Sequence, residues 1–196
     1  PYNFIDNKRR MFNNIKIKLN DKNYVGEWLN GKRDGFGIVT WDDGAKFIGY
    51  FLNDLANGLG KQLHKGGEVY FGEWVNDRAS GLGYYTNTRN SRYEGEWKND
   101  KHNGFGRQVQ LIGSVYTGEF LNGMKNGLGR LELDDGSVYE GEFKNNEISG
   151  IGKFTYQDGK SYIGSWKSNK MHGFGSLSYN DSKSFEGLFV DDKKSG

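Results

Sequence analysis

The sequence predicts an all-β protein, an elongated single-layer antiparallel array of β-hairpins. Three observations lead to this class: a fixed 23-residue repeat, an alternation of aromatic residues with glycine inside each repeat, and glycine-containing turns. The copies begin at Tyr24, Phe47, Tyr70, Tyr93, Tyr116, Tyr139, Tyr162 and Phe185, and the last one is truncated. A constant period of this size is the sequence signature of a repeat architecture, in which each unit buries its apolar face against its neighbours.

Two short strands are predicted in each repeat, whose positions we number from the opening aromatic residue. Positions 1 to 5, as in Tyr93–Trp97 (YEGEW), alternate with a period of two, which predicts a strand with its rings on one face and the glutamate of position 4 on the other. A second strand is predicted from about position 13 to position 18, as in Leu128–Leu133 (LGRLEL), after a polar loop. Each repeat is therefore predicted to be one hairpin.

The turn after the second strand carries sequences such as Asp42–Gly44 (DDG), a hairpin signal in which glycine supplies a positive φ. We expect a three-residue loop at positions 19 to 21, because an odd loop length keeps the rings on one face. The predicted register places the ring of position 5 opposite the glycine of position 14. It also places the glutamate of position 4 opposite a basic residue at position 15, giving the pairs Glu96 with Arg107, Glu119 with Arg130 and Glu142 with Lys153.

The domain organisation follows from the repeat. Residues 24–196 are predicted to form the array, and residues 1–23 an incomplete leading repeat or an entry strand, whose segment from Phe12 to Asp21 is predicted to be a strand and a turn. Because the sequence starts at Pro1 and stops inside a repeat, we expect it to be a fragment of a longer protein.

Composition excludes several functional classes. The net charge of +2 gives no electrostatic footprint for nucleic acid. The chain has 0 cysteines, so it offers no disulfide framework and no thiolate zinc site, which fits a reducing compartment. No apolar run approaches the roughly 20 residues that a membrane-spanning helix needs. We therefore expect neither a nucleic-acid partner nor a transmembrane segment.

The repeat resembles the MORN repeat, whose pattern is close to Y-x-G-x-W-x-x-G-K-x-x-G-x-G followed by a DG turn. The resemblance covers Tyr24 to Gly196 and is carried by copies such as Tyr24–Gly37 (YVGEWLNGKRDGFG). It implies an array curved into a groove or trough and a scaffold that docks helical or extended partner segments, in settings such as ciliary radial spokes, cytoskeletal rings and membrane junctions. Lipid binding is implied for some members, and the family pattern names no catalytic residue.

Three motifs suggest chemistry and are interpreted as structural. The GFG and GLG triplets lack the following helix that a phosphate loop needs. The glutamate of position 4 recurs once per repeat, which favours a structural role over acid–base catalysis. His64, His102 and His172 occupy different repeat positions and do not converge, so no metal site is expected. We predict no catalytic residue, no metal and no cofactor.

The candidate binding residues are aromatic side chains expected to line the groove, since exposed aromatic patches mark interaction sites. The alternative is that these rings only pack one repeat against the next. They are Tyr24, Trp28, Trp41, Tyr70, Trp74, Tyr93, Trp97, Tyr116, Phe120, Tyr139, Phe143, Tyr156, Tyr162, Trp166 and Tyr179. A basic segment, Asn7–Arg10, is interpreted as a solvated arm, with contact to anionic lipid as the alternative.

The function predicted first is a non-enzymatic scaffold or adaptor. Its groove would bind a helical or extended segment of a partner protein, or a second copy of the chain, in a cytoskeletal or ciliary assembly. The alternatives are a module that binds membrane phospholipid and a regulatory segment of a larger enzyme such as a lipid kinase. The expected location is cytoplasmic, associated with the cytoskeleton or axoneme, or peripheral to a membrane if lipid is bound.

Overall fold

The computed structural model describes residues 11–179 and 183–195. The chain divides into two compact units, the first formed by residues 1–88 with 97–100 and the second by residues 89–96 with 101–196. Within the described ranges every regular element is a strand, so the predicted all-β class is confirmed.

In the first unit, seven strands follow one another in chain order. Their lengths are set by the turns that separate the aromatic and glycine-rich segments. They are β1 (Met11–Leu19), β2 (Lys22–Leu29), β3 (Lys32–Trp41), β4 (Lys46–Leu52), β5 (Leu55–Leu63), β6 (Val69–Val75) and β7 (Arg78–Thr86). Each pairs antiparallel with the next.

The strands of the second unit repeat this arrangement. Strand β8 (Arg92–Lys98) crosses the division, with residues 92–96 in the second unit. The others are β9 (Lys101–Val109), β10 (Val115–Leu121), β11 (Met124–Glu132), β12 (Val138–Lys144), β13 (Glu147–Thr155), β14 (Ser161–Lys167), β15 (Lys170–Ser178), β16 (Ser184–Val190) and β17 (Lys193–Ser195). From β9 onward, each strand again pairs antiparallel with its neighbour in sequence.

The predicted register is wrong. Within a hairpin the glycines of positions 3 and 14 face each other, as Gly118 faces Gly129, and the position-1 ring faces position 16, as Tyr116 faces Leu131. The pairing then shifts, so that Phe120 of position 5 faces Lys125 of position 10. The cause is a β-bulge that the period-two pattern does not reveal.

The glutamate of position 4 lies at this bulge, so the predicted pairs with position 15 do not form within the hairpin. The Glu119 carboxylate accepts the backbone N–H of Leu128 at 3.1 Å. It also occupies the space beside Gly127, whose φ of +99° only glycine adopts readily. The glycine of position 12, which falls within the predicted polar loop, is therefore a bulge residue inside the second strand.

The turn between the two strands of a repeat is shorter than predicted. The second strand starts at position 9 rather than about position 13, because positions 7 and 8 form a two-residue turn with both φ angles positive. Asn99 and Asp100 have φ of +48° and +65°, and Asn145 and Asn146 have +50° and +72°. These values match a type I′ turn, in which asparagine and aspartate tolerate the left-handed region.

The predicted three-residue loop at positions 19 to 21 is confirmed. In the first complete repeat the Trp41 N–H donates to the Ala45 carbonyl at 3.0 Å, which closes a loop of Asp42, Asp43 and Gly44. Gly44 has a φ of +93°. In the third complete repeat, Asn90 stands where glycine is expected and takes the same region with a φ of +60°.

The turn residues also tie successive repeats together. The side chain of position 8 accepts the backbone N–H of position 10 in the preceding repeat, as Asp77 does for Ala56 at 2.6 Å and Asn169 for Ile148 at 2.8 Å. The backbone N–H of position 8 in turn donates to the carbonyl of that position-10 residue, as the Asp77 N–H does to the Ala56 carbonyl at 3.0 Å. This reciprocal contact accounts for the recurrence of Asp and Asn in the turns.

Candidate functional site

One face of each unit carries the rings of positions 1 and 5, and we call it the ring face. The rings meet edge to face, both within a repeat and across to the next. Tyr116 lies 5.1 Å from Phe120 and 4.9 Å from Phe143, with interplanar angles of 88° and 82°. Aromatic pairs of this geometry contribute about 0.5–1.5 kcal/mol beyond their buried area. The ring face is thus the core of the protein, built from the two aromatic positions of every repeat.

The tyrosine of position 1 is fixed by its hydroxyl and by glycine. The Tyr93 hydroxyl donates to the Glu96 carbonyl at 2.8 Å, and its ring lies over Gly106, where an added Cβ would fall 2.4 Å from the hydroxyl oxygen. The predicted contact of ring with bare backbone at position 14 is therefore present, but the ring comes from position 1 rather than position 5. Burial raises the pKa of Tyr24 to about 12, and it raises the pKa of Tyr93 further above the usual 10.0.

The rings predicted to line a groove differ widely in exposure. Nine are buried and supply packing rather than contact area: Tyr24, Tyr70, Tyr93, Tyr116, Phe120, Tyr139, Phe143, Tyr162 and Trp166. Five are half-buried, namely Trp28, Trp41, Trp74, Trp97 and Tyr156, and Tyr179 is exposed. Only these six present ring surface to solvent, which narrows the candidate contact set.

A cavity of about 230 Å³ opens on the ring face of the first unit. Its walls include the half-buried rings of Trp41 and Trp74, the buried rings of Phe47 and Phe51, and the side chain of Ala56. We call it the tryptophan cleft. Its volume lies below the roughly 300–1,000 Å³ of small-molecule sites, and it suits a single large side chain.

The residue at position 10 forms part of the cleft wall. In the second complete repeat this residue is Ala56, which is 5% exposed and leaves the space beside the rings open. In the second unit larger side chains stand at the same position. His102 stacks on Tyr93 with centroids 3.6 Å apart, and the Lys125 ammonium lies 5.0 Å from the Tyr116 ring centroid. Burial lowers the pKa of His102 to about 4.

Charged groups stand around the tryptophan cleft. Lys22 and Arg33 both line it. The Arg33 guanidinium lies 4.9 Å from the Phe51 ring centroid and bonds to Asp54, while the Lys22 ammonium lies 5.9 Å from the Trp41 ring centroid. The Asp77 carboxylate is already used by the Ala56 N–H. Lys22 is therefore the charge best placed to meet an acidic group on a ligand.

Sequence reasoning identified Trp41 and Trp74 but missed Arg33, Ala56 and Gln62 in the same cleft. Position 10 was assigned to a polar loop, so its side chains were not expected on the ring face. Position 10 varies among Arg, Ala, His, Lys, Ile and Met, but positions 9 and 11 vary as well, so the sequence carries no signal that separates position 10 from the turn beside it. The basic segment Asn7–Arg10 lies outside the described residues.

Among residues 11–179 and 183–195, no three His, Cys, Asp or Glu side chains are grouped so as to hold a metal ion. The described residues also contain no helix long and apolar enough to cross a membrane.

The 23-residue unit, its ring face and its bulge glycines define the class of protein. The MORN repeat model matches residues 24–46, 47–68, 70–92, 93–109, 116–138, 139–161 and 162–184. Because these matches cover most of the sequence, the chain belongs to the MORN repeat family. No functionally curated protein matches the sequence significantly.

Solved structures give distant likenesses. One is the SAS-4 (dCPAP) TCP domain in complex with a proline-rich motif of Ana2 (dSTIL) of Drosophila melanogaster, with 13% identity, 91% of this chain and 88% of that chain covered, and a TM-score of 0.47. The TCP10 domain of Danio rerio CPAP in complex with a STIL peptide has 10% identity, with 85% of this chain and 99% of that chain covered and a TM-score of 0.20. A streptogramin B lyase has 12% identity, with 92% of this chain and 59% of that chain covered and a TM-score of 0.18. With TM-scores under 0.5, none of them supports a functional argument.

Proposed function

We propose that this chain is a non-enzymatic scaffold whose tryptophan cleft holds an extended segment of a partner protein. The observation that carries the proposal is the cleft itself, which lies on the ring face and is left open by Ala56 between two half-buried indoles. Its size favours a large apolar side chain of the partner, and Lys22 favours a carboxylate beside it. Tryptophan is enriched at such contact points because its large ring brings much contact area at low entropic cost.

The proposal is tested by selecting peptides from a displayed random library on the chain and measuring their affinity by calorimetry. The decisive variant is Ala56→Met, which fills the cleft with a residue that the chain itself tolerates at position 10, as Met171. We expect the affinity of selected peptides to fall at least tenfold.

Ile148→Met is the matched control. Ile148 occupies the same repeat position in the second unit, is 8% exposed and does not line the cleft. We expect this variant to bind as the unsubstituted chain does. Peptides that bind Ala56→Met undiminished, or a library that yields no binder, would contradict the proposal.

The setting of this scaffold is part of the same proposal. Membership of the MORN repeat family supports a cytoplasmic protein in a cytoskeletal or ciliary assembly. Fluorescent tagging in a ciliated cell tests this. We expect signal on a cytoskeletal structure that Ala56→Met weakens and Ile148→Met leaves in place, whereas a diffuse signal in all three cases would count against it.

A further inference from the structure

The face opposite the ring face, which we call the outer face, holds a carboxylate of the chain itself in five repeats. Strand alternation turns positions 4 and 13 toward this face, and the glutamate of position 4 accepts the backbone N–H of position 13. We call this N–H, together with the space beside the bulge glycine of position 12, the carboxylate socket. The contacts are Glu27 with Phe36, Glu73 with Leu82 at 3.0 Å, Glu96 with Phe105 at 2.9 Å, Glu119 with Leu128 at 3.1 Å and Glu142 with Ile151 at 2.9 Å.

In the seventh complete repeat, Ser165 stands in place of the glutamate and leaves the Phe174 N–H without it. The backbone is unchanged, because a Cβ added to Gly173 would lie 3.1 Å from the Ser165 Cβ. In the fifth repeat a Cβ added to Gly127 would likewise lie 3.1 Å from the Glu119 Cβ, with the carboxyl carbon at 2.8 Å. At Gly173 the Ser165 Oγ, at 3.4 Å, takes up only part of that space. The socket of the seventh repeat therefore has the shape of the others without their carboxylate.

The second complete repeat also departs from glutamate, with Tyr50 at position 4. The Tyr50 ring approaches the corresponding space, since its Cγ lies 3.8 Å from a Cβ added to Gly58. Serine brings no such bulk, so the seventh repeat is the one in which the socket is open.

The charges around this open socket favour an anion. The two strands of the seventh repeat, β14 and β15, contain Lys167 and Lys170 and no Asp or Glu. Lys167 follows Ser165 by two residues on the same face and is paired with Lys170 across the hairpin. On the other side, Lys153 is paired with Ile163 and is thus a diagonal neighbour of Ser165. Among the described residues, none of these three lysines makes an ion pair.

We propose that the seventh repeat binds an acidic segment of a partner protein, with one carboxylate of that segment in the open socket. This carboxylate accepts the Phe174 N–H, as the chain's own glutamates accept theirs, and the Ser165 hydroxyl donates a second bond. The lysines stand on three adjacent strands and so span about 10 Å. A segment with several acidic side chains meets them together, whereas a small free carboxylate meets one at a time. The site lies in the second unit and the tryptophan cleft in the first, so the two proposals can fail separately.

Titration of the ¹⁵N-labelled chain with a short blocked oligoglutamate peptide tests the proposal. We expect the amide signal of Phe174 to shift to saturation, while those of Phe105 and Leu128, whose sockets hold Glu96 and Glu119, stay in place. An oligoglutamine peptide of the same length should cause no shift. Oligoglutamate that leaves the Phe174 signal unmoved overturns the proposal. An equal shift with acetate at the same carboxylate concentration overturns the assignment to a polypeptide segment.

Two variants close the socket from within. Ser165→Glu restores the residue that the other repeats use, and Ser165→Gln brings an amide oxygen to the Phe174 N–H without adding a charge. We expect each to weaken oligoglutamate binding by about tenfold or more, the loss that accompanies a hydrogen bond to a charged group. Circular dichroism checks the fold, and if Ser165→Gln unfolds, Ser165→Glu decides.

Ser178→Glu is the matched control for charge. Ser178 is exposed and lies on the same strand and face as Phe174, but it is about 13 Å away along the strand. We expect this variant to bind oligoglutamate nearly as the unsubstituted chain does. Binding that survives the Ser165 variants, or that Ser178→Glu weakens as strongly as they do, overturns the assignment to the socket.

Discussion

Replacing Gly129 by alanine should destabilise the protein, although alanine is intrinsically the better residue in a strand. An added Cβ at Gly129 would lie 2.5 Å from both Cε2 and the hydroxyl oxygen of Tyr116. The Tyr116 ring is 1% exposed and is held between Phe120 and Phe143. Its hydroxyl bonds to the Glu119 carbonyl at 2.9 Å. The ring therefore has no free direction in which to move.

The Tyr116 ring can either move away from the added Cβ or stay in place, and the loss of stability is set by whichever costs less free energy. Displacing the ring would forfeit about 1.5–3 kcal/mol of burial, two aromatic pairs of about 0.5–1.5 kcal/mol each and a hydrogen bond of about 1 kcal/mol. Keeping it overpacks the site, which costs about 1–3 kcal/mol. Because replacing a strand glycine by alanine stabilises by roughly 0.5–1 kcal/mol, we expect a net loss of about 1 kcal/mol.

Urea unfolding followed by circular dichroism measures this loss, and the melting temperature should fall by about 2–4 °C. Gly66→Ala is the control, because the nearest atoms there belong to the flexible end of the Glu68 side chain. Adding Tyr116→Leu to Gly129→Ala should cost less than the two single changes added together. A Gly129→Ala variant as stable as the unsubstituted chain would refute the packing of ring on glycine.

Three further outcomes are expected. Glu119→Ala should lower the free energy of unfolding by about 1–2 kcal/mol, because the Leu128 N–H loses its acceptor. Glu119→Gln should lower it less, because the amide oxygen can still accept. Equal losses of unfolding free energy for the two variants in urea titrations would count against the bulge contact. The pKa of His102 is about 4 when folded and about 6.5 when unfolded, so stability should be full above pH 6.5 and fall by roughly 2 kcal/mol toward pH 4. His102→Met should flatten that part of the pH profile. Burial raises the pKa of Tyr93 and Tyr139, so we expect these phenols to ionise only well above pH 10, and we expect the protein to lose stability as the pH rises through that range. An ultraviolet titration in which all tyrosines ionise near pH 10 would contradict their burial.

The sequence was sufficient for the fold class because the repeat is regular where the fold is regular. Alternation of ring and glycine identified the first strand of each hairpin, and the glycine of position 21 identified the loop that ends it, as at Gly44. The register could not be obtained in the same way. It depends on a bulge at Glu119 and Gly127, whose side-chain and backbone contacts span nine residues and leave no trace in a period-two pattern.

The candidate site was only partly predictable for a related reason. Aromatic residues were assigned to one face, but which of them remain uncovered depends on a neighbour in the opposite strand. Trp74 and Trp166 share position 5, yet Trp166 is 7% exposed and Trp74 is half-buried beside a cavity that Ala56 leaves open. The exposure of the apolar side chains at position 13, such as Leu82, was not predicted, because position 13 was considered only as part of a strand and not by the face it occupies.

The central claim is that the tryptophan cleft is the site of partner binding. The indole N–H signals of the five tryptophans in a ¹H–¹⁵N spectrum test it most directly during titration with a selected peptide. We predict that the signals of Trp41 and Trp74 move, while that of Trp166, whose indole donates to the Gly152 carbonyl at 3.0 Å in the other unit, stays in place. Movement of Trp166 alone, or saturation by peptide with Trp41 and Trp74 unmoved, would contradict the claim.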